Sequence, residues 1–467
     1  MDRTLEGVLT EISNLIGREY VITDPTRLAT YGSDGFTLEH RLPAAVVLPG
    51  DAEEVSAVVR RLSEAGQPFL ARGAGTSLSG GAIAMNGAVI IHLSRLSRIV
   101  SVDLENAVVE CEPGVVNRTI SQRVAGLGYF YAPDPSSGQA CTVGGNVAEN
   151  AGGPHCLKYG VTGSHVLMVE AVLADGEKVR LGHLGAYPDP VDFLGLLVGS
   201  EGTFGIITRV WVRILAKPKT RRTVMALFDH VRDASQAVSA IISAGVIPAS
   251  MEMMDQLAIS AVEQGAYRVG YPLDVAAVLL IEVDGPPIEV EASMQTVEAI
   301  LAKFHPRSIR MPASEAEREL WWANRKTAFG AMGFLSPRYY VQDGVIPRSR
   351  LPEVLEQIAQ IAERYRIRVA NVFHAGDGNL HPLLLYDDRD PDEVSRVTQA
   401  GSEVLRVCVD MGGSITGEHG VGLEKLEEMR LQFDPDELAA QRALKASFDP
   451  KALLNPGKVL PRECASP

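Results

Sequence analysis

The sequence predicts an α+β protein with two large domains, and three observations carry this prediction. The chain has 467 residues, which is too long for a single hydrophobic core. Between Pro43 and Pro218 short β-rich runs alternate with helical runs, whereas from Thr220 the pattern indicates helices combined with an antiparallel sheet. Hydrophobic residues make up 46% and charged residues 22%, a composition typical of a globular protein.

Several local signals define the elements in order. Asp51 is the expected N-cap of a helix that ends at Gly66, and Asp175-Gly176 is expected at the turn of a hairpin. Further helices are predicted over residues 314–332, 351–365 and 392–411. Between the last two, the run RVANVFHAGDGNLHPLLLY predicts a pair of strands joined by a tight turn.

Charge and composition exclude several classes of function. The chain has 44 basic and 58 acidic residues, so the net charge is −14, and an acidic surface disfavours nucleic-acid binding. No apolar run approaches the roughly 18–20 residues of a transmembrane helix, and the acidic N-terminus predicts an amphipathic helix rather than a secretion signal. We therefore expect a cytoplasmic protein. Five scattered cysteines without a CxxC pair argue against a disulfide framework, an iron–sulfur cluster or a zinc knuckle.

Three glycine-rich loops carry the first functional signal, at residues 71–81, 142–153 and 200–207. Such loops turn backbone N–H groups toward one concavity, which suits the phosphates of a nucleotide. None matches the phosphate-binding GxxxxGK[ST] or GxGxxG pattern, and any one of them alone would be read as a structural turn. Three in one domain favour a bulky nucleotide cofactor.

These loops resemble a known family. ARGAGTSLSGG, TVGGNVAENAGG and SEGTFGIITRV are similar to the FAD-binding domain of the vanillyl-alcohol-oxidase and para-cresol-methylhydroxylase (PCMH) superfamily. HAGDGNLH, GEHGVGLEK and FDPKALLNPGKVLP resemble its 2-hydroxyacid branch, which includes D-lactate and D-2-hydroxyglutarate dehydrogenases and the D-subunit family of bacterial glycolate oxidases.

The resemblance implies four segments. An N-terminal helical lead at 1–42 precedes a PCMH-type FAD-binding domain with two subdomains at 43–218. An α+β cap domain with an antiparallel sheet, which binds the substrate and a metal, follows at 219–447. A C-terminal tail at 448–467 returns to the FAD-binding domain.

The resemblance also implies non-covalent FAD, because the first loop contains no histidine that could tether a flavin. Phe204 stands where the family usually has leucine, a minor departure. The residues expected to bind FAD are Arg72, Gly73, Ala74, Gly75, Thr76, Ser77, Ser79, Gly80, Pro133, Asp134, Thr142, Gly144, Gly145, Asn146, Ala148, Gly152, Glu201, Gly205, Ile206, Ile207 and Asn455.

Two histidines form the second functional signal. If Asp377-Gly378 is the two-residue tip of a hairpin, His374 lies directly opposite His381. Two imidazoles on one face of a strand pair can share a divalent metal, although a catalytic site without a metal is also compatible with this pattern.

Glu418 and His419 are adjacent in a further glycine-rich loop. In an extended segment, neighbouring side chains point to opposite sides, so we expect different roles for them. We assign Glu418 as the third metal ligand and His419 as the general base, as the resemblance also implies. The alternative is that Glu418 and His419 are solvent-exposed loop residues without a catalytic role. Two histidines and a carboxylate suit zinc first, and manganese or iron as well.

Arg325 lies on a predicted helix, and its guanidinium could bind a substrate carboxylate, although a surface arginine fits the sequence equally well. Asn379 could hold the substrate or orient a histidine. D-2-hydroxyglutarate dehydrogenases have arginine, threonine and lysine around the distal carboxylate, and the last two align here with Phe329 and Val341. This apolar wall favours a small monocarboxylate over a five-carbon diacid.

The expected reaction is oxidation of a small 2-hydroxy acid, glycolate before D-lactate, to the 2-oxo acid, with hydride transfer to flavin N5. The resemblance implies a second flavin subunit and an iron–sulfur subunit, docked at the inner face of the membrane, or a quinone, as the electron acceptor. A stand-alone D-lactate or D-2-hydroxyglutarate dehydrogenase is the alternative reading. A nucleotide- or metal-binding module without turnover is disfavoured, because such a module would lack the complete set of metal ligands and base.

Overall fold

The computed structural model describes residues 4–185 and 190–462 and divides the chain into two units. The first unit comprises Met1–Gly152, Gly160–Lys217 and Glu418–Pro467, and the second comprises Gly153–Tyr159 and Pro218–Gly417. The sequence prediction ended the cap domain at residue 447, whereas the chain leaves the second unit at Gly417. Residues 186–189 and the extreme ends of the predicted lead and tail lie outside the described residues.

The elements are numbered in chain order. The strands are β1 (Val21–Ile22), β2 (Ala45–Val47), β3 (Phe69–Arg72), β4 (Val89–His92), β5 (Ile99–Asp103), β6 (Val108–Cys111), β7 (Tyr129–Phe130), β8 (Val166–Val172), β9 (Lys178–Gly182), β10 (Ile206–Arg213), β11 (Leu215–Ala216), β12 (Thr220–Phe228), β13 (Ser250–Asp255), β14 (Ala277–Gly285), β15 (Ser308–Arg310), β16 (Arg338–Val341), β17 (Arg368–His374) and β18 (Pro382–Tyr386). The helices are α1 (Leu5–Ile16), α2 (Pro25–Leu28), α3 (Ala52–Glu64), α4 (Asn117–Val124), α5 (Val143–Glu149), α6 (Cys156–Tyr159), α7 (Phe193–Leu197), α8 (Val231–Ser243), α9 (Gln256–Val262), α10 (Pro287–Leu301), α11 (Glu315–Lys326), α12 (Ala328–Ala331), α13 (Leu351–Tyr365), α14 (Pro391–Asp410), α15 (Met429–Gln432) and α16 (Pro435–Phe448).

The first unit contains two main sheets. One has the order β1-β2-β4-β3, in which β4 pairs in parallel with both β2 and β3. The other is antiparallel, with the order β5-β6-β10-β8-β9. Between β8 and β9 the predicted hairpin is present, and Gly176 in its turn has a φ of 87°. Two sheets in this unit agree with the predicted two-subdomain architecture.

Helix α3 has the N-cap and the buried apolar face that its sequence predicted. The Asp51 carboxylate accepts a hydrogen bond from the Glu54 N–H, as predicted for an N-cap. Val55, Val58 and Leu62 recur at helical spacing and are buried, so this face packs into the core shared with α1 and the parallel strands.

The second unit is built on one antiparallel sheet of seven strands, with the order β15-β12-β14-β13-β17-β18-β16. Its strands β13, β14, β17 and β18 are buried over most of their length. Helices α9, α11 and α12 contribute Trp321 and other apolar side chains to a core on one face of the sheet. The predicted helix at 314–332 is broken at Thr327, where α11 ends and α12 begins.

No helix in the described ranges is both long and apolar enough to span a bilayer.

The C-terminal tail is fastened to the first unit by the carboxylate of Asp449, which is 2% exposed. Its oxygens accept hydrogen bonds from the backbone N–H groups of Leu453 (3.1 Å) and Leu454 (2.9 Å) and from Lys445 Nζ (2.6 Å). Lys445 in turn donates to the carbonyl of Thr203. These contacts hold the tail beside β3, to which Leu454 forms a parallel bridge.

We predict that Asp449→Ala destabilises the first unit by about 3 kcal/mol, because two buried amides and an ammonium lose their acceptor. Thermal unfolding of the two purified proteins measures this as a lower Tm. Asp436→Ala, on the exposed first turn of α16, the helix that ends just before Asp449, is the matched control and should change the Tm little. Equal Tm values for Asp449→Ala and the control would contradict the assigned role.

Candidate active site

The first and second glycine-rich loops of the first unit touch at Gly73 and Thr142. A Cβ atom at residue 73 would lie 2.2 Å from Thr142 Oγ1, so only glycine allows this approach. The Thr142 hydroxyl is buried and has no hydrogen-bond partner among the described residues. An unsatisfied hydroxyl between two glycine-rich loops fits a ligand with oxygen acceptors, such as the ribose and phosphates of a dinucleotide.

The third loop is held by its acidic residue. Glu201 has a φ of 52°, and its carboxylate accepts hydrogen bonds from the N–H groups of Val421 (2.6 Å) and Gly422 (2.7 Å). Burial raises the pKa of Glu201, while these two amides act in the opposite direction. Glu201 therefore joins the third loop to the segment that follows Glu418, and its side chain has a structural partner.

Asn455 joins the tail to two of the loops. Its side-chain amide donates to the carbonyls of Gly81 (3.2 Å) and Glu201 (2.9 Å), and its Oδ1 accepts from Lys458 Nζ (3.1 Å). The residue is 3% exposed. The predicted cofactor residue Asn455 thus lies where the first loop, the third loop and the tail meet.

Other predicted cofactor residues have side chains engaged within the protein. The Arg72 guanidinium donates to the carbonyls of Tyr31, Ser33 and Ala82. These hydrogen bonds use the side chain to link the start of the first loop to its neighbouring backbone. Ile206 and Ile207 are buried in two apolar cores. A cofactor would therefore contact these three residues through their backbone groups.

In the second unit, the hairpin containing the two histidines differs in register from the prediction. His374 pairs with Asn379, and Asn371 pairs with Pro382, so the tip has four residues, Ala375–Gly378, rather than two. The prediction that His374 lies directly opposite His381 is therefore wrong. Asp377 Oδ1 accepts from the Asn379 N–H and Gly378 has a φ of 84°, which stabilises the longer turn.

The shift of register is two residues, and side chains alternate with a period of two along a strand. His374 and His381 consequently stay on the same face as diagonal neighbours. Their ring centroids are 5.1 Å apart with the planes at 88°, and both residues are buried. The predicted convergence of the two imidazoles is present, although it arises from a different pairing.

Glu252 is the main residue of this site that sequence reasoning missed. It lies on β13 directly opposite His374 on β17, and its Oε1 is 2.8 Å from His374 Nδ1. Burial by itself raises the pKa of Glu252, but the positive charge of Arg325 and the contact with His374 outweigh burial and lower it. An anionic Glu252 accepts the Nδ1–H of His374 and leaves Nε2 as the nitrogen available to a metal.

Arg325 and Asn379, both predicted from sequence, flank the histidines with unsatisfied polar atoms. Arg325 is 5% exposed and forms an ion pair with Glu252, at 2.5 Å between Nη2 and Oε2. Within the described part of the chain, Arg325 Nε and Asn379 Oδ1 are buried without a hydrogen-bond partner. A buried donor and a buried acceptor in this state fit a small ligand that carries a carboxylate and a hydroxyl.

A second buried carboxylate, Asp343, anchors the end of the second unit. It accepts hydrogen bonds from Thr416 Oγ1 (2.6 Å) and from the Gly417 N–H (3.0 Å), and its Oδ1 lies 3.9 Å from His381 Nδ1. Gly417 is so close to Asn379 that a Cβ atom there would lie 2.6 Å from the amide carbon.

Glu418 and His419 follow directly in the chain and belong to the first unit. The Cα of Glu418 is one peptide, about 3.8 Å, beyond that of Gly417. His419 Nε2 and Glu418 Oε1 are 3.9 Å apart.

Glu252 and Asp343 were missed because neither residue lies in a recognisable sequence motif. The one available signal was a charged residue within a run of apolar strand residues, at SMEMMD and in YYVQDGV. Such a residue needs a partner when the strand is buried.

The aromatic ring of Phe329 bounds the site on one side. It meets His381 edge-on, with ring centroids 5.7 Å apart, and meets Tyr339 in the same way at 6.2 Å. Val341 is 7% exposed in the same apolar cluster. These two positions, predicted to form an apolar wall, are hydrophobic in their surroundings as well as in their side chains.

Sequence comparisons agree with these observations. Residues 43–182 match the FAD binding domain family, and residues 217–459 match the family described as FAD linked oxidases, C-terminal domain. Glycolate oxidase subunit GlcD of Escherichia coli strain K12 is 46% identical over 95% of this chain and 89% of its own length. GlcD of Bacillus subtilis is 39% identical over 93% and 92%. A probable mitochondrial D-lactate dehydrogenase of Danio rerio is 31% identical over 98% and 92%.

Solved structures share the fold at low sequence identity. p-Cresol methylhydroxylase with substrate bound superposes with a TM-score of 0.82 at 17% identity, covering 97% of this chain and 96% of that one. 4-Ethylphenol oxidase from Gulosibacter chungangensis superposes with a TM-score of 0.80 at 20% identity, covering 98% and 97%. The predicted PCMH-type α+β fold is confirmed.

We predict that Asn455→Ala weakens FAD retention about 10-fold, because the loss of its hydrogen bonds to two loops amounts to roughly 1.4 kcal/mol. Diluting the holoprotein and following the fluorescence of released flavin measures this retention. Asn106→Ala is the control, since Asn106 donates to Asp103 within an exposed turn. Unchanged flavin release in Asn455→Ala would remove the residue from the cofactor site.

Proposed function

Because the chain belongs to the FAD-linked oxidase family and is an FAD-dependent 2-hydroxyacid oxidoreductase, we propose that it oxidises glycolate to glyoxylate as its main reaction, with D-lactate as the next best substrate. The observation that carries the proposal is the buried pair His374 and His381, with Glu252 orienting the first ring beside an unsatisfied arginine donor. This arrangement suits a small hydroxy acid anion.

FAD is the non-covalent cofactor of the first unit, and when bound it supplies the acceptor for a hydride from the substrate α-carbon. The chain's contribution is a cradle of three loops, drawn together by Gly73, Glu201 and Asn455. The unsatisfied Thr142 hydroxyl supports this assignment.

We assign His374, His381 and Glu418 as ligands of a divalent metal, zinc first and manganese or iron as alternatives. The metal, when bound, supplies Lewis acidity toward the substrate hydroxyl. The donor set fits, because the Nδ1 of His374 is engaged by Glu252 and its other nitrogen remains for coordination.

Three side chains bind the substrate and remove its hydroxyl proton. Arg325 binds the substrate carboxylate through its unsatisfied Nε. Asn379 accepts a hydrogen bond from the substrate or orients a histidine, and His419 removes the hydroxyl proton as general base.

For the electron acceptor, we propose a second flavin subunit and an iron–sulfur subunit, or a quinone. The support is that the E. coli and B. subtilis relatives are themselves described as subunits of a glycolate oxidase, and that the five cysteines here lack cluster spacing. We propose further that the protein acts in the cytoplasm and is peripheral to the inner face of the membrane through these partners. A stand-alone D-lactate dehydrogenase is the second candidate, supported by the D-lactate dehydrogenase relatives.

Anaerobic mixing of the holoprotein with glycolate, D-lactate, L-lactate and D-2-hydroxyglutarate tests the substrate assignment. We expect loss of the oxidised-flavin absorbance to be fastest with glycolate, slower with D-lactate and negligible with L-lactate. Fastest reduction by D-lactate would favour the second candidate, and reduction by D-2-hydroxyglutarate alone would overturn the proposal.

The same assay tests the proposed base and metal. His419→Asn should slow flavin reduction by about 100- to 10,000-fold, the usual contribution of general base catalysis. His305→Asn, at an exposed position, is the matched control. Prior chelation should also abolish reduction, and added zinc should restore it. Near-normal rates in His419→Asn, or after verified metal removal, would eliminate the base or the metal respectively.

We predict that Phe329→Thr raises kcat/KM for D-2-hydroxyglutarate relative to glycolate at least about 10-fold, since a hydroxyl beside His381 can pair with a second carboxylate. Leu335→Thr alters the same apolar cluster and is the control. An unchanged substrate ratio in Phe329→Thr would show that this ring does not determine substrate size.

A further inference from the structure

The carboxylate of Glu252 contacts two functional groups at once. Its side chain is fully buried, with Oε1 2.8 Å from His374 Nδ1 and Oε2 2.5 Å from Arg325 Nη2. Ser250 Oγ donates a weaker hydrogen bond to Oε1, at 3.3 Å. The strand register fixes this arrangement, because Glu252 and His374 are direct cross-strand partners on β13 and β17.

Each oxygen of Glu252 thus has its own functional partner. The oxygen near His374 receives the Nδ1–H and determines which ring nitrogen stays unprotonated. The oxygen near Arg325 holds one end of the guanidinium, while Arg325 Nε has no acceptor in the residues that the structure describes. A planar guanidinium fixed at one nitrogen presents its remaining donors in a defined direction.

We propose that Glu252 is a positioning residue that aligns the metal ligand His374 and the carboxylate-binding Arg325 together, so that one buried carboxylate couples metal affinity to recognition of the substrate carboxylate. The inference rests on the proposed function for the roles of His374 and Arg325. It adds that neither role is independent of Glu252.

Glutamine is the informative replacement. It has nearly the same shape but no negative charge and only one acceptor oxygen, so the charge-assisted contacts to both His374 and Arg325 are weakened together. We expect Glu252→Gln to lower zinc affinity about 10- to 100-fold, the usual cost of losing a carboxylate behind a ligand histidine. We also expect it to weaken binding of oxalate, a carboxylate ligand that cannot be oxidised by hydride removal, at least about 10-fold when zinc is saturating.

Glu282→Gln is the matched control. Glu282 is 4% exposed in the neighbouring strand β14 and bonds to Thr223, Arg318 and Trp322 rather than to the histidines. Its replacement removes a comparable buried ion pair, so the loss of stability should be similar. Zinc affinity and oxalate binding should stay at wild-type values.

The experiment measures three quantities on purified holoprotein. These are zinc affinity by chelator competition, oxalate affinity from the perturbation of the flavin spectrum, and FAD per chain as the check on folding. Glu252→Asp, which keeps the charge, is measured alongside and should retain more of both affinities than Glu252→Gln. If Glu252→Gln purifies without FAD, the comparison of Glu252→Asp with the wild type decides, and reduced zinc and oxalate affinities are then expected.

The outcomes separate this inference from the proposed function. If the wild-type protein binds neither zinc, manganese nor iron, the metal assignment fails, and the coupling fails with it. If the wild type binds zinc and Glu252→Gln retains both affinities, the inference is overturned while the proposed function stands. A change in only one affinity would overturn the coupling and leave Glu252 as a partner of one residue.

Discussion

Pairing between β13 and β17 brings Glu252 and His374 together in the middle of a buried sheet, and the candidate site depends on this contact. A carboxylate that is fully removed from water is costly unless it is paired. Here the neighbouring imidazole and Arg325 provide that pairing. The same contacts that make the burial tolerable also give the two side chains defined orientations, so stability and site geometry have one physical origin.

The first unit uses buried polar contacts in a comparable way. Glu201 receives two backbone amides from the segment after Glu418, and Asn455 joins two loops to the tail. Glycine-rich loops lose more conformational entropy on folding than other segments. Fixed hydrogen bonds such as these hold the loops in one conformation before a cofactor arrives, which lowers the entropic cost of binding.

The wrong hairpin register has a physical cause that also explains a contact which the sequence did not indicate. The turn Asp377-Gly378 resembles a two-residue hairpin tip, yet the strands pair with a four-residue tip. Turn composition restricts local backbone angles, whereas register is decided by which residues the neighbouring strands can pair. The side chain of Arg72, a predicted FAD-binding residue, donates to the carbonyls of Tyr31 and Ser33 in a distant segment and to that of Ala82, which the sequence did not indicate. Both facts depend on contacts between residues that are far apart in the chain.

The amino-acid sequence by itself determined the α+β class, the N-cap at Asp51, the glycine-rich loops and the presence of His374 and His381 on one face. These features follow from short-range periodicity and from the conformational limits of single residues, which are local. Only the tertiary structure decided that Glu252 stands opposite His374, that Arg325 is its second partner and that Asp343 anchors Gly417. The role of a buried charged residue can be recognised only once its partners are known. Those partners lie on strands and helices that the chain brings together on folding.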